Sequence, residues 1–519
     1  MKYFKKMKVL VIFCLMVVFP NVENAKILGV YPYTSYSNYL LGDTIFKELI
    51  RKGHEVTVIT PFKEKKQLQN YSQILIEDLF EKSLEMRNTI LDHVNYNIFQ
   101  KAHWLYALGT YFTEWTLSNP NVQNFLHESH HFDLVIHQLL MSDAISGFCH
   151  HFQSPCVAIS AVVAPTLIDR RIGGSSPPSY IPQLLVNYPV PLNFFQRFYN
   201  TFVYILFEIL YYFYLHPNQS RLLQKFFPKA PPLDELYYNT SLILVNSHVS
   251  VDDVTPSLPN LVHIAGAHIN ESERLPQELQ TFLDDAKDGA IFFSLGSTIK
   301  SKDMSDEKRN SFLKVFSNLK QKVLWKWENE TLPNKTKNIK IATWFPQQAI
   351  LAHPNVKLFI SQGGRLSTIE AVHFGVPILG IPAFADQGMN VVRAEAAGYA
   401  KSIFFEDLNE EVLKTVVLEM LNNPSYKENA KRQSKIMKDQ VMKPLDNAIF
   451  WIEYVIRHRG APHLKSAALN LSWYQYHLLD VMLVFFLILL TSLFIIKVIF
   501  RVIWKYFFTK KNTGKIKKN

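Results

Sequence analysis

The sequence predicts an α/β protein of two doubly wound halves, each a parallel sheet clothed in helices, followed by one membrane-spanning helix. Three observations carry this prediction. Strand-like and helix-like stretches alternate through the body, the strand-like runs are apolar without polar alternation, and a long apolar run stands near the C-terminus. Apolar runs of strand length suit parallel strands covered on both faces, and alternation with helices suits crossover connections.

The first unit reads "KILGVYPY", "YLLGDTIFKELIRKGH", "EVTVIT", a strand, a helix and a strand. Further strands in this half are "DLVIHQ", "VAISAV" and "LILVNS". The second half repeats the pattern with "AIFFSLGS", "KVLWKWE", "IKIATW", "VKLFISQ", "PILGIP" and "KSIFF". The halves meet near Thr281–Ala290, which sets domains at 26–283 and 284–440 and a bridge of aromatic amphipathic helices at 441–477. Ligands of such sheets lie beyond the carboxyl ends of the strands, so the cleft between the halves is the expected site. "FFQRFYNTFVYILFEILYYFYL", Phe194–Leu215, breaks the pattern with more aromatic surface than an ordinary helix carries. Three readings stand: a helix lying on a bilayer, the wall of an apolar acceptor pocket, or a core helix hairpin.

The chain has 519 residues, 48% of them hydrophobic, and a net charge of +11. That composition is of a folded protein with room for two or three domains. The cations Lys2, Lys5, Lys6 and Lys8 at one end, and those from Lys497 to Lys518 at the other, exceed the whole surplus. The basic excess therefore points to a membrane and away from nucleic acid. "MKYFKKMK" followed by "VLVIFCLMVVF" reads as a secretory signal with cleavage near Ala25, giving a leader at 1–25. The alternative, an N-terminal anchor, suffers from an apolar run short of the roughly 20 residues a span needs. "LLDVMLVFFLILLTSLFIIKVIF", 478–500, is long enough, and the basic tail 501–519 follows it. Positive charge marks the cytosolic side, so the expected topology is single-pass type I with a lumenal body.

Lys517 and Lys515 stand third and fifth from the end, resembling a dilysine retrieval signal of endoplasmic-reticulum proteins; the alternative is a plain stop-transfer flank. Asn218, Asn239, Asn270, Asn329, Asn334 and Asn470 head glycosylation sequons, compatible with a lumenal body. Of three cysteines, Cys14 lies in the leader, and Cys149 and Cys156 can form one disulfide but no framework or zinc site.

The chemistry concentrates in "FISQGGRLSTIEA", where a strand ends at Gln362, Gly363 and Gly364 turn the chain, and a helix begins. Free N–H groups and the positive end of a helix dipole make such a turn a diphosphate cradle. Ser367 adds a hydroxyl, and Glu370 can receive ribose hydroxyls. Ahead of the strand stand Trp344, a platform for a flat base, and Gln347, whose amide can read the edge of that base. After the next strand come Asp386, Gln387 and Asn390, suited to sugar hydroxyls, although Asp386 alone equally suits a helix N-cap. "FSLGS" brings Gly296 and Ser297 to the same cleft. Base platform, cradle, ribose acceptor and sugar clamp at successive strand ends point to a nucleotide sugar.

The stretch Trp344–Gly398 resembles the signature of the UDP-glycosyltransferases, the UDP-glucuronosyltransferase superfamily, and "LILVNSH", "FSLGS" and "WIEYVIRHRGAPHL" extend the likeness over nearly the whole chain, with details similar to insect members. The resemblance implies a GT-B fold, two Rossmann-like domains facing a cleft. It implies inverting transfer of a sugar from a UDP-sugar to small lipophilic acceptors, the UDP-sugar being a co-substrate, with no metal and no resident cofactor. By the same resemblance Trp344 and Gln347 hold uracil, Ser297, Gly363 and Ser367 the diphosphate, Glu370 the ribose, and Asp386 and Gln387 the sugar.

Three positions depart from the family pattern. Its histidine before the glycine pair is here Gln362, which can donate one hydrogen bond but cannot become cationic. Its general-base histidine falls on Asn38, and the acid that orients it falls on Gln138, with Asp143 nearby in another register. Neither amide can take a proton at neutral pH. His137 is an alternative base, but as a strand neighbour of Gln138 it should point to the other face. The expectation is a membrane-anchored hexosyltransferase, glucose before glucuronate, with a weakened or absent protein base. Its rival is a UDP-sugar-binding pseudoenzyme that modulates other transferases by hetero-oligomerisation.

Overall fold

The computed structural model describes residues 24–88 and 95–509. The leader up to residue 23 and the tail 510–519, with Lys515 and Lys517, lie outside the described residues.

Among the described residues thirteen strands form two parallel sheets. The first runs β3-β2-β1-β4-β5-β6-β7, with β1 Lys26–Val30, β2 Glu55–Thr60, β3 Tyr71–Leu75, β4 Leu134–Gln138, β5 Cys156–Ser160, β6 Thr240–Val245 and β7 Leu261–His263. The second runs β10-β9-β8-β11-β12-β13, with β8 Ala290–Ser294, β9 Lys322–Lys326, β10 Ile339–Ala342, β11 Val356–Ser361, β12 Ile378–Gly380 and β13 Ala400–Ser402. Strand order reverses beside β1 and β4 in one sheet and beside β8 and β11 in the other. Ligands bind at such switch points. Central strands β1, β4, β5, β6 and β8 are buried almost throughout, as their unbroken apolar runs require. The edges β3 and β7 escaped the sequence reading. "YSQIL" is half-exposed, with Ser72 and Gln73 side by side and not alternating with apolar residues, and "LVH" is too short to carry a period.

The helices that position the site are α1 Tyr36–Arg51, α2 Ile98–Ser118, α3 Phe194–Leu210, α4 Gln347–Ala352, α5 Arg365–His373 and α6 Gln387–Ala396. Helix α7, Pro444–Arg457, opens the segment read as a bridge, and it packs on the first sheet. Its stripe Ala448, Ile449, Ile452 and Val455 joins a core with Ile27, Val56 and Leu134, since residues spaced by three and four share one helix face. Cys149 and Cys156 are joined, their Cα atoms 5.8 Å apart.

Contacts divide the chain into a body ending at Lys465 and a second unit from Ser466. The second unit carries α8, Leu479–Thr509. By length and composition α8 is able to cross a membrane.

Candidate active site

Loops at the carboxyl ends of both sheets enclose one cavity of about 940 Å³ within the body. Its polar half is built on β8 and β11, which pair Ser294 with Ser361. That register sets the loop after β8 beside the loop after β11. Gln362 fills the space between them, its Oε1 accepting from the Ser361 hydroxyl at 3.1 Å. A Cβ on Gly296 would lie 2.1 Å from the Gln362 amide nitrogen, and one on Gly364 2.8 Å from it. The glycines are therefore what let this side chain sit in the cradle. Gly363 has φ +79°, and a Cβ there would meet Val391 at 2.3 Å. It turns the chain behind the cradle and is not itself part of the cavity wall, whereas Ser297, Gln362, Gly364 and Ser367 are. Helix α5 starts at Arg365, so its unbonded N–H groups open toward the cavity floor.

Trp344 stands at the cavity edge, 58% exposed. Its ring meets the Tyr36 ring edge-on at 5.5 Å, and Lys326 Nζ lies 5.8 Å from its centre. Gln347, first residue of α4, donates from Nε2 to Ser367 Oγ at 3.0 Å and to Glu370 Oε2 at 2.6 Å. The other oxygen of Glu370 accepts from Gln348 Nε2 at 3.0 Å. His268 Nε2 stands 3.3 Å from that oxygen, close but out of hydrogen-bonding alignment, and neither ring nitrogen has a partner. Gln348 and His268 both line the cavity, and sequence reasoning missed both. His268 lies just beyond the three-residue β7, far upstream of Glu370. The role of Gln348 depends on helix phase, which a motif does not display.

Asp386 is buried and lines the cavity. It occupies the N-cap position of α6 but makes no side-chain capping bond; its Oδ2 accepts from Asn390 Nδ2 at 2.7 Å instead. Burial pushes its carboxyl up from the usual range, opposed by the Asn390 hydrogen bond and the Arg365 and Arg393 charges. Gln387 uses its carbonyl oxygen to accept from the Ala383 and Phe384 amides at 2.9 and 3.2 Å. That anchors the loop carrying Asp386 and leaves the Gln387 amide nitrogen for a ligand.

Much of the remaining wall is apolar, with Tyr33, Trp104, Leu108, Phe112, Leu140 and Phe384 around it, while Thr44, Lys47, Glu48 and Arg51 of α1 also line it. Asn38, in the first turn of α1, opens into this half. Gln138 ends β4 with 2% exposure, lies behind the wall, and has an amide nitrogen with no partner. Asp143 is locked to Arg171 at 2.6 Å, both side chains 1% exposed. His137 is likewise buried away from the cavity. Burial, with the Arg171 charge, pushes its imidazole down to about 3. None of these three residues is placed to deprotonate an acceptor in the cavity. Among the described residues no group of three or more His, Cys, Asp or Glu is gathered as a metal site.

The two sheets are tied across the cleft by charge. Arg365, at the start of α5, donates from Nε to the Asn246 carbonyl at 2.9 Å and pairs with Asp252. Arg393 on α6 reaches Asp252 at 3.2 Å and Asp253 at 2.7 Å.

Residues 25–514 match the family described as "UDP-glucoronosyl and UDP-glucosyl transferase". UDP-glucosyltransferase 2 of Dactylopius coccus is 37% identical over 519 residues, 99% of either chain. UDP-glucuronosyltransferase 2B14 of Oryctolagus cuniculus is 31% identical over 93% of either. Among solved structures, glycosyltransferase VinC in complex with DTDP shares the fold at TM-score 0.57 and 15% identity, covering 83% of this chain and all of that one.

Proposed function

From the premise that this chain belongs to the UDP-glucuronosyl and UDP-glucosyl transferase family and has its GT-B fold, we propose that it moves a hexose from a UDP-sugar to a small lipophilic hydroxyl compound. The observation that carries this reading is one continuous cavity, which joins the glycine cradle and its Gln347–Glu370 network to a largely apolar chamber. Uracil stacks on Trp344, and the ribose hydroxyls meet Glu370. The diphosphate lies on the α5 N-terminus with Ser297 and Ser367, and Asp386 and Gln387 hold the sugar. The acceptor oxygen, giving up its proton to water or to the departing UDP, attacks the anomeric carbon as the bond to the diphosphate breaks, so configuration inverts and UDP leaves. The helix dipole and the Gln362 amide take up the charge that develops on the diphosphate. Uncharged Gln362 gives less of this help than a cationic imidazole would.

Deprotonation is the weak step. General-base assistance is worth roughly 100- to 10,000-fold, and Asn38 and Gln138 cannot supply it. Binding both substrates in one cavity still removes much of the entropic barrier, and an acceptor that ionises readily needs less assistance. Glucose is the favoured sugar, a choice supported by the glucosyl name of the Dactylopius coccus relative. No metal or resident cofactor enters this scheme. Helix α8 anchors the protein in the endoplasmic-reticulum membrane, with the body lumenal and the tail cytosolic; the length of α8 and the cations after it support this.

The test is product identification. Membranes holding the protein receive UDP-glucose or UDP-glucuronate with a panel of phenols, alcohols and amines, and an Asp386→Ala variant gives the background. Glycosylated phenol from UDP-glucose, absent with the variant, is the expected result. UDP binding without product from either donor would instead favour a pseudoenzyme.

A further inference from the structure

Helix α3 continues through a π-helical turn at Tyr211–Leu215 into a helix at His216–Phe226, and one face of this rod faces outward uncovered. Phe195, Phe198, Phe202, Ile205, Tyr212 and Phe213 stand on that face, Phe195 79% and Phe213 82% exposed. They recur at helical spacing, so the patch is continuous and not a scatter of single surface residues. The opposite face belongs to the body, where Val203, Phe207, Leu210 and Leu215 are buried. Asn200 is wholly buried there and fixes the helix. It accepts from the Gln183 amide at 2.8 Å and donates to the Pro178 and Ile181 carbonyls at 2.7 and 2.8 Å.

The rod is long and apolar enough to pass for a membrane span. These buried contacts exclude that role, because crossing a bilayer would strip them away. A helix with one face locked into a body and the other lined with bare aromatic rings is built to lie on a surface.

We propose that this face docks on a lipid bilayer, its phenylalanine and tyrosine rings sunk among the acyl chains and headgroups. Charge supports lipid as the occupant. From Phe194 to Leu215 the sole carboxylate is Glu208, and Arg170 neutralises it at 2.6 Å. The chain also supplies the bilayer. Helix α8 is of spanning length, and the short stretch Ser466–Leu478 that joins it to the body keeps lipid within reach. The proposal rests on α8 being the membrane anchor. One consequence bears on function. Helix α3 packs on α2, with the Phe207 and Tyr106 rings 5.7 Å apart, and α2 also supplies Trp104, Leu105 and Leu108 to the cavity wall. A lipophilic acceptor dissolved in the membrane is thus one helix layer from the chamber.

The test uses the full chain in phosphatidylcholine vesicles that contain nitroxide-labelled phosphatidylcholine. Cys14→Ser leaves Cys149 and Cys156, which are bonded to each other, so one added thiol takes one fluorescent label. Labels go on Phe198→Cys, Phe213→Cys, Leu490→Cys in α8 and Glu330→Cys on an exposed polar loop. Nitroxide lipid should remove half or more of the emission at 198, 213 and 490 and leave 330 unchanged. Quenching by aqueous iodide at 198 and 213, with lipid quenching at 490, would overturn the proposal by putting the face in water. Protection from both quenchers at 198 and 213 would overturn it in favour of a protein partner or a second copy. A label at 490 that lipid does not quench would overturn the anchor reading, and the proposal with it.

Discussion

Asn38 faces the chamber where an acceptor would sit, while Gln138 is buried behind the wall with an unpaired amide nitrogen. An unpaired buried donor costs about 1–3 kcal/mol, so position 138 gains nothing from glutamine in this structure. Asn38→His combined with Gln138→Asp should therefore raise kcat toward an aliphatic alcohol by roughly 100-fold. It should also add a rising limb to the pH–rate profile in the imidazole range, which is the reading that separates a restored base from a repacked core. The unsubstituted protein should lack that limb, because His137, pushed down to about 3, stays neutral and faces away. A double variant no faster than its parent would mean that the chamber no longer presents an acceptor to position 38. His268 carries a second prediction. Its ring is a polar neighbour of the buried Glu370 carboxylate at 3.3 Å, so His268→Leu, which sets an apolar side chain against that carboxylate, should raise KM for UDP-glucose about tenfold. The preference for UDP over its 2′-deoxy analogue should narrow while kcat at saturation holds. His268→Gln should recover most of the loss, and an unchanged preference would reduce His268 to a packing role. The sequence made Trp344, Gln347, Glu370 and Asp386 legible because they cluster in one short stretch. His268 was not legible, since only the folding of the first sheet against the second brings it there.

At the scale of elements, strand–turn–helix units did what their residues dictate. In the unit β11–α5 the helix starts directly after the two glycines as expected, while the strand stops at Ser361, one residue before the expected Gln362, and the helix at His373, short of Gly375. Gly363 is its pivot, at a positive φ and hard against Val391. Gly363→Ala should cost about 1–2 kcal/mol from the left-handed backbone alone, with more from the clash, and should weaken UDP binding with it. Adding Val391→Ala should recover the clash component and leave the backbone component, read by thermal melting and UDP titration on the same samples. Full recovery would show that the conformation of the turn does not need glycine. The short edges β3 and β7 were illegible because strands of three to five residues on a sheet margin need neither a buried run nor a clean alternation. The apolar stripe of α7 was legible, but its destination on the first sheet was not, because periodicity reports a buried face and not what buries it.

At the scale of the whole molecule, charge ties the two sheets across the cleft. Asp252 serves Arg365 and Arg393 together, one at the head of α5 and one on α6, after the loop that carries Asp386. Removing one partner of a buried pair leaves charge uncompensated. Asp252→Ala should therefore destabilise by about 3 kcal/mol, whereas Asp252→Asn, which keeps one acceptor oxygen, should cost less. Equal melting temperatures for Asp252→Ala and its parent would show that the two sheets are held by apolar contact alone. The tie also joins elements on either side of the cavity, and so bears on the central claim. That claim is that this chain transfers sugar from UDP-glucose while leaving deprotonation largely to the acceptor. The measurement that tests it most directly is UDP release from membranes given UDP-glucose and phenols of graded acidity, with aliphatic alcohols beside them and Asp386→Ala as background. The account predicts release above background that climbs with the acidity of the phenol and is lowest for the alcohols. Release that is equal for phenols and alcohols, or that never rises above the variant, would contradict it.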